Sequence, residues 1–586
     1  MTSTPSPADW RDGWIYFALI DRFNNPSRSP AHAWDEPWSG FQGGTLPGLT
    51  AQLGYVRDLG ATAIWLSPVL QNVASDDGTY HGYGIQNFSR VEPRFCADPT
   101  RARADVAYAD SQLRELVDAA HTRGLSVILD IVINHAGDVY NYDGYGSIAP
   151  WRNAPPYPIH WRNASGQPDP AWANAPDSPP ADAAVHPAAL RNNDAFRRLG
   201  NAFGASGHDP AAAGDFYSLK ELVTTLQDGA AHYLVRNALI DCYADVIRRF
   251  DVDGYRIDTL MYVERDFAVT FGNAMREYAQ STGKQNFFTF GEVYADEQKI
   301  SAYVGRHVGE AGDLVGVDAA LDFPLFYVLP QIVKAQVAPR AMVDVYALRR
   351  RLEEGVISSH GEAGRYFVTF ADNHDQHARL RYEDPGDPHR YDDQVSLALA
   401  ILLSLQGVPC IYYGTEAGLA GSGSAPEAVR EALWGAPNAF YVARQPFAAT
   451  LQELSAVRAA RPELRYGRQY FRPVSGDGTS FGHSPFGGGV IAYSRILAAS
   501  EVVVVANTST AQAFTGHVLV DADLTPAGTM LAVAYSNQTG ANAPGAAVDR
   551  PAGSVTVQED GGVSSGPIRT VDVFLRPMEV QILVKP

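Results

Sequence analysis

The chain has 586 residues, 46 % of them apolar and 11 % aromatic, with 46 Lys+Arg against 65 Asp+Glu for a net charge of −19. That length exceeds one ordinary core and predicts two or three domains; the composition excludes a disordered chain, and no run of about 18 apolar residues marks a membrane span. The acidic balance argues against binding a nucleic-acid backbone. Cys96, Cys242 and Cys410 are too few and too far apart for a zinc cluster or a disulfide framework. Cys242 and Cys410 lie in apolar stretches and read as buried thiols. Met1–Trp10 is polar, with no basic region leading into an apolar one, which predicts a cytoplasmic protein; a removed secretion signal would leave the same start.

Short apolar runs alternate with segments of helical period. Trp14–Ile20 predicts a first strand, Leu49–Leu59 a helix and Ala63–Leu66 a second strand. Leu113, Leu116, Val117 and Ala120 recur at i, i+3, i+4 and i+7, the stripe of an amphipathic helix. Gly124 ends that helix, and Val127–Val132 is the next strand. Leu239, Tyr243, Val246, Ile247 and Phe250 mark another helix, followed by a strand over Gly254–Asp258. Further strands are expected at Phe287–Phe290, Leu321–Phe323, Tyr366–Phe370 and Cys410–Tyr413. Strands apolar on both faces and separated by helices indicate a parallel sheet, and eight of them a (β/α)8 TIM barrel.

Two regions break this rhythm. The stretch after His135 is rich in Pro, Asn and Asp, yet it carries Trp151, Trp161, Trp172, Phe196 and Phe203. That is more aromatic surface than a linker needs, and it predicts an irregular subdomain inserted after strand three. From Tyr466 the chain is strand-like, at Val490–Tyr493, Val502–Ala506, Val555–Val557, Val571–Leu575 and Val580–Val584, and reads as a C-terminal all-β sandwich. The expected division is 1–135 and 229–464 for the barrel, 136–228 for the insertion and 465–586 for the β domain. With no clear exposed tryptophan pair, that last domain reads as a structural cover.

Barrel active sites are built at the C-terminal ends of the strands. There the chain places Asp130 running into Asn134 and His135, Arg256 with Asp258, Glu292, and the run Asp372-Asn-His-Asp375. One carboxylate at a strand end is more often a helix cap than a catalyst. Three of them (Asp258, Glu292 and Asp375), with Arg256 and two histidines at one mouth, outweigh that reading. Such a cluster suits glycosidic bond chemistry, which uses one carboxylic acid and one carboxylate around an oxocarbenium-like state. Like charges at close range raise one pKa and keep an acid protonated. Arg256, two residues before Asp258 on a strand, points to the same side and can hold it ionised. Carboxylates gathered to hold a metal for phosphoryl or enolate chemistry are the competing reading.

The motifs Asp130-Ile-Val-Ile-Asn-His135, Gly254-Tyr-Arg-Ile-Asp258, Phe290-Gly-Glu292-Val and Phe370-Ala-Asp-Asn-His-Asp375 stand in order at barrel spacing. They are joined by Asp21-Arg-Phe, Leu66-Ser-Pro68, Tyr80-His-Gly-Tyr83 and Gly407-Val-Pro-Cys-Ile-Tyr-Tyr-Gly414. From about Trp14 to Leu464 the chain resembles the α-amylase family of glycoside hydrolases, family 13. The resemblance implies a retaining mechanism: Asp258 as the nucleophile of a β-glycosyl-enzyme, Glu292 as acid and then base, Asp375 as stabiliser of the distorted sugar. It implies that Arg256 orients Asp258, with Asp130 as its structural partner. His135 and His374 would hydrogen-bond the sugar before the scissile bond, and Tyr83 would stack on it. It also implies structural Ca²⁺ between barrel and insertion, with Asn134 and Asp215 as oxygen ligands. A second calcium loop at Asp21, Asn24 and Asn25 reads equally well as a simple turn.

One departure stands out. Where ordinary α-amylases carry a Lys-His pair after the nucleophile, on the leaving side of the glucan, this chain has Met261 and Tyr262. The expected function is hydrolysis of α-glucosidic bonds, α-1,4 first, in malto-oligosaccharides or starch-like glucans. Transfer to a sugar acceptor through the same intermediate is the alternative that the departure brings forward. A silent glucan- or partner-binding relative would usually have lost a carboxylate, and all three are present.

Overall fold

The computed structural model describes residues 3–203, 213–225, 233–305, 315–353, 356–559 and 561–586. Among them, eight parallel strands form one sheet: β1 (Ile15–Ala18), β2 (Ala63–Leu66), β3 (Ser126–Val132), β4 (Gly254–Asp258), β5 (Phe288–Gly291), β6 (Ala319–Ala320), β7 (Val368–Thr369) and β8 (Val408–Tyr412). Their order is β6-β5-β4-β3-β2-β1-β8-β7. A bridge between Leu321 and Val368 joins the two edges, with the Asp322 N–H donating to the Val368 carbonyl at 2.9 Å. The sheet is thereby a closed TIM barrel. All residues of β1, β2, β4, β5 and β8 are buried, which is why these strands read as continuous apolar runs rather than alternating ones.

Helices pack around the barrel. The helix Val106–Thr122 starts where the Asp105 side chain accepts from the Tyr108 N–H, and it buries Leu113, Leu116, Val117 and Ala120. The helix Leu234–Phe250 buries the stripe Leu239, Tyr243, Val246, Ile247 and Phe250 and stops at Asp251 in the left-handed region. The helix expected over Leu49–Leu59 forms as two pieces, Leu46–Ala51 and Leu53–Asp58. The sixth strand lies earlier than Leu321–Phe323. Phe323 opens the short helix Phe323–Phe326, because Asp322 caps it by accepting from the Leu325 N–H at 3.1 Å and Pro324 suits its first turn.

Between β3 and β4 the chain leaves the barrel. His135–Ala136 pairs antiparallel with Lys220–Glu221, and Tyr140–Tyr142 with Ile159–Trp161. Tyr140 packs edge-on against Tyr142, Trp161 and Phe196. Residues 204–212 and 226–228 of the expected insertion lie outside the described residues. All three cysteines are free and buried. No described helix is long and apolar enough to cross a membrane.

At the C-terminus, Arg468–Phe471, Val490–Leu497, Ser500–Asn507, Val580–Val584 and Ala532–Ser536 form one sheet, facing a second built on Phe514–Val520 and Ile568–Leu575. Along Val502–Ala506 the two faces separate by period two. Val503 and Val505 enter the core between the sheets, while Val502, Val504 and Ala506 join the barrel core. The β domain is thus fastened to the barrel, and Arg495 fixes the joint. Its fully buried guanidinium donates to the Ser404 carbonyl at 2.6 Å, at the C-terminal end of the helix Asp392–Ser404, and to the Gly467 carbonyl at 2.9 Å. Arg495→Met would leave these carbonyls unpaired. We expect it to cost about 2–4 kcal/mol, seen as a lowered urea midpoint.

Candidate active site

Strand register builds the centre of the site. Arg256 on β4 lies directly beside Asp130 on β3. Arg256 Nη1 donates to Asp130 Oδ1 at 2.9 Å and Oδ2 at 3.1 Å, and to Asp258 Oδ1 at 2.8 Å. Its Nη2 lies 2.9 Å from Glu292 Oε1, off the line of a hydrogen bond. Arg256 and Asp130 side chains are fully buried, Asp258 nearly so, and Glu292 is 13 % exposed. Asp130 is held in turn by the Tyr83 hydroxyl at 2.9 Å and Trp65 Nε1 at 3.2 Å.

The turn after β4 aims Glu292. Thr259 takes a left-handed φ of 48° and points its N–H at Glu292 Oε2, 3.0 Å away. Gly291 permits the close approach, since a Cβ there would fall 2.0 Å from Leu260 Cδ2. Burial pushes Asp258 up to about 7 against the pull of Arg256, with Asp130 and Asp375 adding to the rise. Burial raises Glu292 further, to about 8, again opposed by Arg256 and reinforced by Asp258 and Asp375.

Asp375 stands apart electrostatically. Removal from bulk water works against its charge, but His374 and Arg430 outweigh this and hold it below the usual carboxylate range. Arg430 Nη2 donates to Asp375 Oδ1 at 3.0 Å, and its Nε donates to the His374 carbonyl at 2.8 Å. Arg430 Nη1 donates to the Tyr80 hydroxyl at 2.7 Å. With 38 % of its side chain exposed, Asp375 faces the open mouth.

The site histidines are neutral. Burial pushes His374 and His81 down to about 3 and His135 to about 4. His374 Nε2 lies 2.7 Å from the Tyr83 hydroxyl and 3.2 Å from Asp375 Oδ2. Because that hydroxyl donates to Asp130, the network assigns the His374 proton to Nε2. His135 Nε2 and His374 Nδ1 are buried without a hydrogen-bond partner. Tyr83 lies nearly parallel to His374, with ring centroids 5.5 Å apart.

Met261 is buried, its carbonyl accepting from the Tyr303 hydroxyl at 2.9 Å. Tyr262 lies close enough to Glu292 and Asp258 for their charges to add to the burial that pushes its hydroxyl up to about 12. Its ring meets Phe216 edge-on at 5.9 Å, and Phe216 touches exposed Phe203. Tyr217, also exposed, joins the group 4.8 Å from Phe203.

The residues expected to hold calcium do not fit it. Asp215 is fully buried and already engaged: Oδ2 accepts from the Tyr142 hydroxyl at 2.6 Å, Oδ1 from the Glu221 N–H at 3.0 Å, and Lys220 Nζ lies 3.5 Å away. Lys220 Nζ also lies 3.3 Å from Asp138, donates to the Ser147 carbonyl and sits over the rings of Tyr140 and Tyr142. This ammonium supplies the positive charge there. The Asn134 amide turns to His135 Nδ1 at 3.4 Å. Asp21, Asn24 and Asn25 stitch their own loop to Gly43 and Gly48, as a turn does. Among the described residues, no group of three or more His, Cys, Asp or Glu is placed to hold a metal ion.

Sequence reasoning placed Asp130, Asp258, Glu292, Asp375, Arg256, His135, His374 and Tyr83 at one mouth, and the structure brings them together. It missed Arg430, which sits in no motif and reaches its partners through a loop, and the part played by Lys220, which lies on the strand paired with His135–Ala136.

The family model for the alpha amylase catalytic domain matches residues 17–448. The chain therefore belongs to the α-amylase family, a family of glycosidases and transglycosidases. It is 26 % identical over 519 residues to an α-amylase of Streptomyces lividans, covering 80 % of this chain and 51 % of that one. It is 25 % identical over 551 residues to a cyclomaltodextrin glucanotransferase of Geobacillus stearothermophilus, covering 90 % and 62 %. The chain thus spans about half to two thirds of the length of these relatives. Among solved structures, an α-amylase from Geobacillus thermoleovorans complexed with acarbose shares the fold at TM-score 0.64 and 24 % identity, covering 99 % and 100 % of the two chains. CldA, a cyclomaltodextrin glucanotransferase with three domains, does so at 0.66 and 20 %, covering 99 % and 100 %.

Lys220 tests the frame of the site, because its strand pairs with the one that carries His135. Lys220→Met would strand two carboxylates without their cation. We expect a loss of about 3–5 kcal/mol in unfolding free energy, read from urea melts, together with a raised KM as His135 loosens.

Proposed function

We propose that this chain is a retaining enzyme acting on α-glucosidic bonds, α-1,4 first, of malto-oligosaccharides or starch-like glucans. The observation that carries the reading is Arg256, whose one guanidinium touches both Asp258 and Glu292. So short a bridge favours the close pair of a retaining enzyme, separated by about 5–5.5 Å, over the wider pair that admits a water between its carboxyls. Asp258, hydrogen-bonded by Arg256, attacks the anomeric carbon. Glu292, with the higher pKa, protonates the leaving oxygen and then takes the proton from the incoming hydroxyl. Asp375, ionised and facing the mouth, stabilises the positive charge that develops on the sugar ring. His135 and His374 would hydrogen-bond sugar hydroxyls, beside Tyr83.

Two outcomes share the glycosyl-enzyme, hydrolysis and transfer. Hydrolysis is the first reading. Transfer is favoured by the apolar wall of Met261 and Tyr262, because a leaving side that holds sugar better than water directs the intermediate to an acceptor. We also propose the division 1–135 with 229–464, 136–228, and 465–586 as barrel, insertion and β domain.

Asp258→Asn should lower kcat by about 10⁴-fold or more, and NMR of early product should show retained α-configuration; β product would overturn the mechanism. Incubation with maltotetraose distinguishes hydrolysis, giving only shorter products, from transfer, giving longer ones. The pKa order predicts a bell-shaped kcat/KM near neutral pH. Activity falls on the acid side as Asp258 gains its proton and on the alkaline side as Glu292 loses its own. With α-maltosyl fluoride, whose leaving group needs no acid, Glu292→Gln should retain the acid limb and lose the alkaline one.

A further inference from the structure

A cavity of about 290 Å³ lies outside the catalytic centre, between the segment Arg28–Gly43 that follows β1 and the side chains of Asp77 and Arg94. It falls near the lower edge of the range of small-molecule sites, and its parts are built rather than accidental. Trp38 is 37 % exposed and stacks on His32 with ring centroids 3.6 Å apart. Phe41 lies under the Arg94 guanidinium at 4.4 Å. Glycines let the two largest side chains lie on the backbone: a Cβ on Gly40 would come 2.8 Å from Trp38 Nε1, and one on Gly43 would come 1.9 Å from Arg28 Nη2. Gly43 also has φ +102°, which a side chain would strain.

Two polar groups of the cavity are free to bind. Among the described residues, neither the Arg28 guanidinium nor Trp38 Nε1 makes a hydrogen bond, and the Asp77 side chain is 88 % exposed. Arg94 is held by Glu92 at 2.8 Å and lies 3.9 Å from Asp77, so the two acids and the two guanidiniums leave the cavity near charge balance. An aromatic face beside one free cationic fork and one exposed carboxylate matches a ring with an apolar C–H face and a rim of neutral hydroxyls.

The cavity shares the barrel mouth. Buried Arg22 donates to the carbonyls of Trp38 at 2.7 Å and Gly40 at 2.9 Å, and its guanidinium lies 4.0 Å over the Tyr80 ring. Tyr80 accepts from Arg430, which holds Asp375. We propose that this cavity is a second glucan-binding site, taking a glucosyl residue of an α-glucan whose chain engages the catalytic mouth elsewhere. The inference rests on the α-glucan reading above.

The test has two parts. Maltoheptaose titrated into Asp258→Asn by calorimetry should bind at least about five-fold more weakly when Trp38→Ala or Arg28→Ala is added, with maltotriose affinity moved less. In the active enzyme the same two variants should raise KM for amylopectin about five-fold relative to that for maltotriose. Melting curves check the fold, and Arg28→Ala, an exposed change, stands in if Trp38→Ala unfolds. Maltoheptaose affinity and KM ratio both within two-fold of the parent would overturn the site, as would Arg28-dependent binding of inorganic phosphate in place of maltoheptaose. An enzyme inert towards both glucans would overturn the proposed function, and the titration would still decide the cavity.

Discussion

One buried cation organises the catalytic end of this barrel. Taking a guanidinium out of water costs several kcal/mol unless carboxylates and hydrogen bonds surround it. Arg256 is fully buried and meets three carboxylates, from β3, from β4 and from the end of β5. The parallel register that places Arg256 beside Asp130 is therefore an electrostatic condition of folding as well as a backbone one. Removing any one of the three acids would unbalance the centre. Asp130, sealed off by Tyr83 and Trp65, serves that balance and leaves Asp258 and Glu292 turned towards the mouth.

The same arrangement sorts protons. Three acids of similar intrinsic strength come to differ because their surroundings differ. Asp375 is half-exposed and held by Arg430 and His374, so it stays ionised. Asp258 shares its cation with Asp130. Glu292 touches only an off-line nitrogen of Arg256 and the Thr259 N–H, and it retains its proton longest. The histidines are kept neutral by burial, so they can donate and accept without adding charge. Such a site fits the proposed substrate, a neutral sugar met through its hydroxyls, with charge reserved for the reacting centre.

Much of this was legible in the sequence because it is local. Arg256 and Asp258 share one strand, and His374 and Asp375 are neighbours, so strand ends alone indicate the mouth. The buried barrel strands announced themselves as unbroken apolar runs, and β6 was displaced because two residues suffice to pair it while Asp322-Phe-Pro starts a helix. Partners brought in by loops were illegible. Arg430 reaches Asp375 from 55 residues downstream along an irregular path. Asp215 read as a metal ligand because its segment, Gly214–Leu222, resembles the family stretch that brings an aspartate to Ca²⁺, and an oxygen donor suits an ammonium as well as it suits that cation. Only the fold shows Lys220 already there.

The insertion gives the two sides of the site different surfaces. On one, Arg430, His374 and Asp375 present polar groups held to one another. On the other, Met261 is buried and Tyr262 meets the aromatic group of Phe216 and Phe203. Water binds poorly to such a wall, whereas the C–H face of a sugar binds well. In the proposed mechanism, the partition of a glycosyl-enzyme between water and sugar would be set by which one dwells beside Glu292. The placement of Tyr262 beside that carboxylate, with its ring against Phe216, would then link the choice of acceptor to the packing of the insertion.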